Sequence, residues 1–150
     1  MDIVIIGDGK VGHKLAMQLS GENYNVTLID QCEKKLSDTV NEMDVSCVAG
    51  DGGSAEVQRK ADVPGADLVI ACTSTDEMNL FCCLLARRLG AKQTIARVRN
   101  PVYAEQMHLL KEDLKLSMGV NPELALAGEI SRVVIFPSPA KMETFVKGRV

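Results

Sequence analysis

The stretch that decides the fold is residues 1–19, MDIVIIGDGKVGHKLAMQL. An apolar run, Ile3 to Ile6, ends at Gly7, and Gly9 and Gly12 follow at the opening of a segment that reads as a helix from Val11 to Leu19. A glycine-rich turn between a strand and a helix is a common phosphate cradle, and each glycine has a separate task. Gly7 permits the tight turn, Gly9 lets the backbone approach a pyrophosphate, and Gly12 lets the helix lie close to the strand. The helix N-terminus adds unpaired N–H groups and the positive end of its dipole. Asp8, Lys10 and Val11 fill out the turn and are candidates with the glycines; Lys10 reads either as a point charge for the anion or as a solvated lysine. The spacing alone recurs by chance, so its meaning depends on what surrounds it.

Outward from the turn, short apolar runs alternate with helical patterns. DIVIIG is followed by NVTLID, VSCVAG, DLVIACT and TIARV, each β-branched and nearly continuous, as a strand buried on both faces must be. Helices are predicted over Val11–Leu19, Glu33–Glu42, Ala55–Ala61, Asp76–Leu89 and Val102–Lys111, with turns at Gly52-Gly53, Pro64-Gly65, Gly90 and Asn100-Pro101. Such alternation builds right-handed βαβ crossovers, hence an α/β protein with a Rossmann-like, doubly wound parallel sheet. A sixth strand is predicted at Leu114–Met118. Asn121-Pro122 then opens a further helix, with Asn as its cap and Pro at its first position. The apolar stripe of that helix, Leu124, Ala127, Ile130 and Val134, either packs on its own sheet or crosses to a second subunit. The expected domain is residues 1–135, including this helix at about 121–134, with 136–150 beginning a following segment.

Composition narrows the class. Hydrophobic residues make up 46% of the 150 and charged residues 25%, an ordinary soluble balance that suits one domain with a real core. With no Trp, two Tyr and three Phe, that core must come from Val, Ile, Leu, Met and Ala. Aromatic poverty, a net charge of -3 and the lack of a basic stripe all argue against nucleic acid as a partner. The N-terminal apolar run is too short for a signal peptide or a membrane span, so a cytoplasmic chain is expected. The five cysteines form no CxxC pair and fall mostly in apolar runs, as reduced structural thiols do.

A dinucleotide site needs an acid at the end of the second strand, and Asp30 stands there, 18 residues after Gly12. A carboxylate accepts from both hydroxyls of an adenosine ribose and repels a 2'-phosphate. The next residue is Gln31 rather than arginine, which favours NAD(H) or an adenosine nucleotide over NADP(H). Gly50 and Asp51 end the third strand, where they would border the adenine. Thr73, Ser74 and Thr75 end the fourth; they either face the second half of a dinucleotide or cap the next helix. Arg97 closes the fifth strand and reads as a ligand for phosphate or carboxylate, or as half of an internal ion pair.

Chemistry beyond binding is not apparent. The two histidines, His13 and His108, both fall inside predicted helices, and the Tyr-x-x-x-Lys pair, the Gly-x-Ser-x-Gly elbow and the Gly-Lys-Ser/Thr phosphate loop are absent. A binding domain rather than an enzyme is expected. Two alternatives stay open: the cofactor half of an NAD-dependent oxidoreductase whose catalytic domain lies elsewhere, and a domain that keeps the fold without its ligand.

Taken together, IIGDGKVG, LID with Asp30, VAGDG with Asp51, ADLVIACTSTDEMNL, IARVRNP and GVNPELALAGEI resemble the N-terminal nucleotide-binding domain of the TrkA/Ktr-type potassium-transport regulators, called the RCK, KTN or TrkA-N domain. The resemblance spans nearly the whole chain. It implies a regulatory protein that binds NAD(H), and in many relatives ATP, ADP or AMP. It further implies a cytoplasmic position on the inner face of the cell membrane, held by an integral-membrane potassium channel or transporter subunit, and pairing through the sheet edge and a C-terminal crossing helix at about 121–134 into homodimers or higher rings. On this basis Gly7, Gly9, Gly12 and Asp30 would hold the pyrophosphate and ribose, Asp51 would lie by the adenine, and Thr73, Ser74 and Arg97 would lie towards the far end of the ligand. A second, C-terminal subdomain common in such regulators is not found here beyond the first residues after Phe136.

Overall fold

The computed structural model describes residues 1–114 and 118–120. Six strands, β1 (Asp2–Ile6), β2 (Asn25–Asp30), β3 (Ser46–Ala49), β4 (Leu68–Ala71), β5 (Gln93–Arg97) and β6 (Met118–Val120), form one sheet in the order β3-β2-β1-β4-β5-β6. Every pairing in the sheet is parallel. The connecting helices are α1 (Lys10–Gly21), α2 (Glu33–Glu42), α3 (Ala55–Lys60), α4 (Asp76–Leu89) and α5 (Pro101–Leu114), and a short 3-10 turn at Val63–Gly65 precedes β4.

The continuous apolar strands are explained by burial on two faces. Along β1, Ile3 and Ile5 join a cluster with Leu15, Ala16 and Leu19 of α1 and Leu36 of α2. Their neighbours Val4 and Ile6 turn the other way, towards Ala61, Cys82, Cys83 and Ala86. Alternate residues point to opposite faces of a strand, so helices must cover both sides. The second cluster has small residues where α4 crosses the sheet: Ala71, Ala86 and Ala96 are all fully buried. Five thiols are free, and three of them, Cys72, Cys82 and Cys83, sit in these cores.

The sixth strand begins later than the sequence pattern predicts. The helix expected to end at Lys111 continues to Leu114, and pairing with β5 starts at Met118 opposite Ile95. Lys111, Glu112 and Leu114 are good helix formers, and their intrinsic preference extends α5. The crossing helix expected at 121–134 and the segment 136–150 lie outside the described residues. Among the described residues no helix is long and apolar enough to cross a membrane.

Chain direction reverses its winding between β1 and β4, so the crevice of the fold opens at the C-terminal ends of those two strands. The end of β1 is Ile6, paired with Ile29 on one side and Ala71 on the other. The glycine turn, Asp30 and the 72–75 loop therefore reach the same rim.

Candidate functional site

The glycine turn is built by close approach. Gly7 has a φ of +105°, and a Cβ there would lie 2.7 Å from the carbonyl oxygen of Cys72. A Cβ on Gly12 would lie 1.9 Å from the carbonyl oxygen of Gly7, so only glycine lets α1 sit this near the end of β1. A Cβ on Gly9 meets nothing within 4 Å. Gly9 is also the N-cap of α1 and supplies no side-chain acceptor, and the first turn of that helix has no acidic residue. By contrast α3 is capped by Ser54, and α4 by Thr75 with Asp76 and Glu77 beside it. The N-terminus of α1 is the one of these three whose N–H groups and dipole are left to an external anion.

Asp30 is held in place by two backbone donors. The N–H of Asp8 donates to its Oδ2 and the N–H of Cys32 to its Oδ1, each at 2.8 Å. Each oxygen of an ionised carboxylate has a further lone pair, so an oriented edge remains for a ribose. Gln31 and Lys35 flank it, and Gly50, Asp51 and Gly52 face it from the end of β3. Asp51 folds its own loop by accepting from the N–H of Gly53 at 2.8 Å.

At the other end, Asn79 ties β4 to β5. Fully buried, its Oδ1 accepts from both the N–H and the hydroxyl of Thr73 at 2.6 Å, while its Nδ2 donates to the carbonyl of Arg97 at 2.9 Å. Asp76, also buried, accepts from the N–H groups of Arg99 and Asn100 at 2.9 and 2.7 Å. Thr75 caps α4 through a bond from the N–H of Met78, so the capping role read for this loop belongs to Thr75. The carbonyl of Ser74 accepts from the Arg99 guanidinium at 3.1 Å. Among the described residues Arg97 makes no ion pair, and its Nε is buried without a hydrogen-bond partner. The internal-pair reading of Arg97 is therefore not met within the described chain. Beside it, burial pushes the Cys72 thiol up to about 12, with Arg97 acting in the opposite direction.

The glycine turn, the Asp30 end and the Arg97 end meet around one cavity of about 510 Å³. Of the sequence candidates, Gly7, Gly9, Asp30, Gln31, Gly50, Asp51, Thr73, Ser74, Thr75 and Arg97 come together on its wall. Lys10 lies instead in a neighbouring groove of about 580 Å³ between α1 and α2, and the carboxylate of Asp8 faces the same way. Val11 packs into the core, and Gly12 stands behind the turn as the contact that seats the helix. Sequence reading missed Lys35 and Gly52 on the wall, and Asn79 and Asp76 behind it. The Gly52-Gly53 pair was visible as turn punctuation only; a Cβ on Gly52 would lie 2.2 Å from Ile6 Cγ2, which is why the β3 loop can close over β1. No cluster able to hold a metal ion occurs among the described residues.

A parallel sheet ordered 3-2-1-4-5-6, with a glycine turn and an acid at the end of β2 meeting in its crevice, defines a Rossmann-like nucleotide-binding domain. The TrkA-N domain model matches residues 3–117, and the chain belongs to that family. It is 37% identical over its full length to a Trk system potassium uptake protein TrkA homolog of Archaeoglobus fulgidus. The chain spans about a third of that relative, 34% of its length. In fold it resembles the GsuK channel bound to NAD, with a TM-score of 0.67 and 24% identity across 79% of this chain and 21% of that one. It also resembles GsuK bound to ADP, with a TM-score of 0.67 and 23% identity over 80% of this chain and 31% of that one.

Proposed function

We propose that the chain is the nucleotide-sensing domain of a Trk-type potassium-transport regulator. NAD(H), or ATP, ADP or AMP in the same crevice, acts on it as an effector rather than as a reactant. Residues 1–135 form the unit, and 121–134 cross to a second copy in a homodimer or larger ring. The partner is an integral-membrane potassium transporter or channel subunit, which holds the domain at the cytoplasmic face of the membrane.

One observation carries this reading: a single crevice has an oriented carboxylate, Asp30, at one end and at the other a guanidinium, Arg97, that makes no ion pair among the described residues, with the uncapped start of α1 between them. That order matches ribose, pyrophosphate and a polar distal group. Family membership and the curated TrkA relative support the potassium-transport context, and the NAD- and ADP-bound GsuK structures support the ligand class.

Regulation follows from differential affinity. A ligand moves a hinge between paired domains only as far as it binds one hinge angle better than another, and the same free energy is returned to the membrane partner. Calorimetric titration with NADH, NAD, ATP, ADP and NADPH, with light scattering on the same samples, tests the proposal. Adenosine-nucleotide binding that changes particle size or shape without turnover supports it. Binding of NAD(H) to an unresponsive particle supports the alternative of an oxidoreductase cofactor half, and absence of binding refutes both.

A further inference from the structure

The glycine turn contains a carboxylate where an anionic ligand would meet it. Asp8 lies between Gly7 and Gly9, yet it is only 5% exposed. Its side chain turns away from the crevice and meets His13, one turn along α1: Asp8 Oδ1 is 3.0 Å from His13 Nδ1. Asp8 Oδ2 accepts from the Thr39 hydroxyl of α2 at 2.6 Å. The second imidazole nitrogen, Nε2, lies 3.1 Å from Oε2 of Glu42, at the end of α2. An ionised carboxylate has lone pairs and no proton to give. Both contacts are hydrogen bonds only when both ring nitrogens bear protons, so it is an imidazolium that would bridge the two carboxylates.

That cation stands in the first turn of a helix, where the dipole disfavours positive charge. Asp8 and Glu42 offset this. The remaining charged groups around the bridge are Lys10 and Lys14 from α1 and Lys35 and Asp38 from α2. From β3, Cys47 completes the surroundings; burial first, and the charge of Asp8 second, raise its thiol above the ordinary range. Of all these, the imidazole is the group whose chemistry changes charge in the neutral range. The connection to the crevice is direct, because the N–H of Asp8 is one of the two donors that orient Asp30.

We propose that His13 is a positioning residue for the nucleotide crevice: its proton neutralises Asp8 behind the phosphate turn and ties α1 to α2, so that nucleotide affinity falls as pH rises and His13 deprotonates. The inference rests on the nucleotide reading above. When His13 loses a proton, one ring nitrogen meets a carboxylate lone pair to lone pair. The turn then has one more uncompensated negative charge close to where a pyrophosphate binds. Linkage makes the effect reciprocal: bound nucleotide must hold the proton on His13.

NAD is the probe, because its phosphodiester charges stay fixed across the neutral range. Its affinity is measured by calorimetry from about pH 6 to about pH 9, spanning the ordinary imidazole titration, on the wild-type chain, His13→Arg and His13→Gln. The His13 ring signals are followed by NMR with and without NAD. His108, exposed on α5 and bonded to the carbonyl of Glu105, is the internal control. The wild-type affinity should fall on the order of tenfold with rising pH. The arginine variant, with a permanent cation, should bind with little pH dependence near the wild-type acid value, and the glutamine variant weakly at every pH. NAD should move the His13 titration to higher pH and leave His108 unchanged. NAD binding of constant strength across the range, with no movement of the His13 signals, overturns this inference and leaves the nucleotide reading standing. No binding at any pH overturns both. If the variants do not fold, the wild-type affinity profile and ring titration decide by themselves.

Discussion

Asp30→Asn tests the crevice at its adenosine end with little change in shape. In the wild-type chain the two carboxylate oxygens each accept a backbone N–H at 2.8 Å, from Asp8 and from Cys32. An asparagine amide offers one oxygen and one NH₂, so one of those donors faces another donor. A ribose hydroxyl that bonded to the charged oxygen loses its best acceptor. A hydrogen bond to a charged group is worth about 1.5–3 kcal/mol. At about 1.4 kcal/mol per factor of ten, the variant should bind ADP about ten- to a hundredfold more weakly. Asp30→Ala, which removes both acceptors, should weaken it by more than tenfold as well, with an added loss of order in the turn.

The loss must be assigned to the ribose and not to general damage, which a cycle accomplishes. ADP and 2'-deoxy-ADP are titrated into wild type and Asp30→Asn, with a thermal melt on each sample. Wild type should prefer ADP by about the factor above, whereas the variant should scarcely distinguish the two ligands, because the interaction removed by the deoxy sugar is already gone. If the variant still prefers ADP to the same degree, or binds it with wild-type affinity, Asp30 does not hold the ribose and the orientation of ligand in the crevice is wrong.

Three further outcomes follow from the same geometry. Gly12→Ala forces a Cβ to 1.9 Å from a backbone oxygen that has no freedom to move, and should cost at least about 2 kcal/mol in urea unfolding, while Gly21→Ala, whose Cβ meets nothing within 4 Å, should stay within about 1 kcal/mol of wild type; equal effects would refute the close packing of α1 on β1. Arg97→Ala should weaken ATP, whose third phosphate reaches past the pyrophosphate position, at least about tenfold and leave adenosine unaffected in parallel titrations, since a guanidinium adds to the binding of anions only; an equal loss for adenosine would show that Arg97 supports the fold instead. Alkylation of the native chain should reach exposed Cys32 first, read by peptide mass spectrometry. Burial raises the thiols of Cys72 and Cys82 to about 12 and that of Cys83 higher still, so their reactive thiolate becomes abundant only in strong alkali, and rapid labelling at neutral pH would contradict the packing of α4.

What the sequence made legible was whatever depends on local pattern. Each strand announces itself as a continuous apolar run because both faces are covered, and β1 and β4 are buried almost throughout. The close approaches at Gly7 and Gly12 were readable because the turn and its two elements are contiguous. Asp30 was readable because parallel pairing puts the end of β2 level with the end of β1, Ile29 opposite Ile6. Residues that act across the sheet were not. Asn79 and Asp76 look like ordinary first-turn polar residues of a helix, and their partners, Thr73 and Arg97 for one and Arg99 and Asn100 for the other, come within reach only once β4 pairs with β5. Lys35 reaches the crevice through the rotation of α2, which no spacing reveals.

The Asp8 and His13 pair shows why this distinction matters for function. In the sequence, a carboxylate inside the glycine turn reads as a ligand contact by position, and a histidine inside the first helix reads as remote from any site. Folding reverses the two. The close seat of α1 made possible by Gly12 brings His13 back to Asp8, and α2 closes from the other side with Thr39 and Glu42. The charge of the turn is thereby set by a group one helical turn away and by a helix that follows the next strand. A substitution in α2 such as Glu42→Gln therefore alters the electrostatics of a crevice it never touches. That dependence would separate this chain from a family member whose glycine turn has no acid, even where every crevice-lining residue were the same.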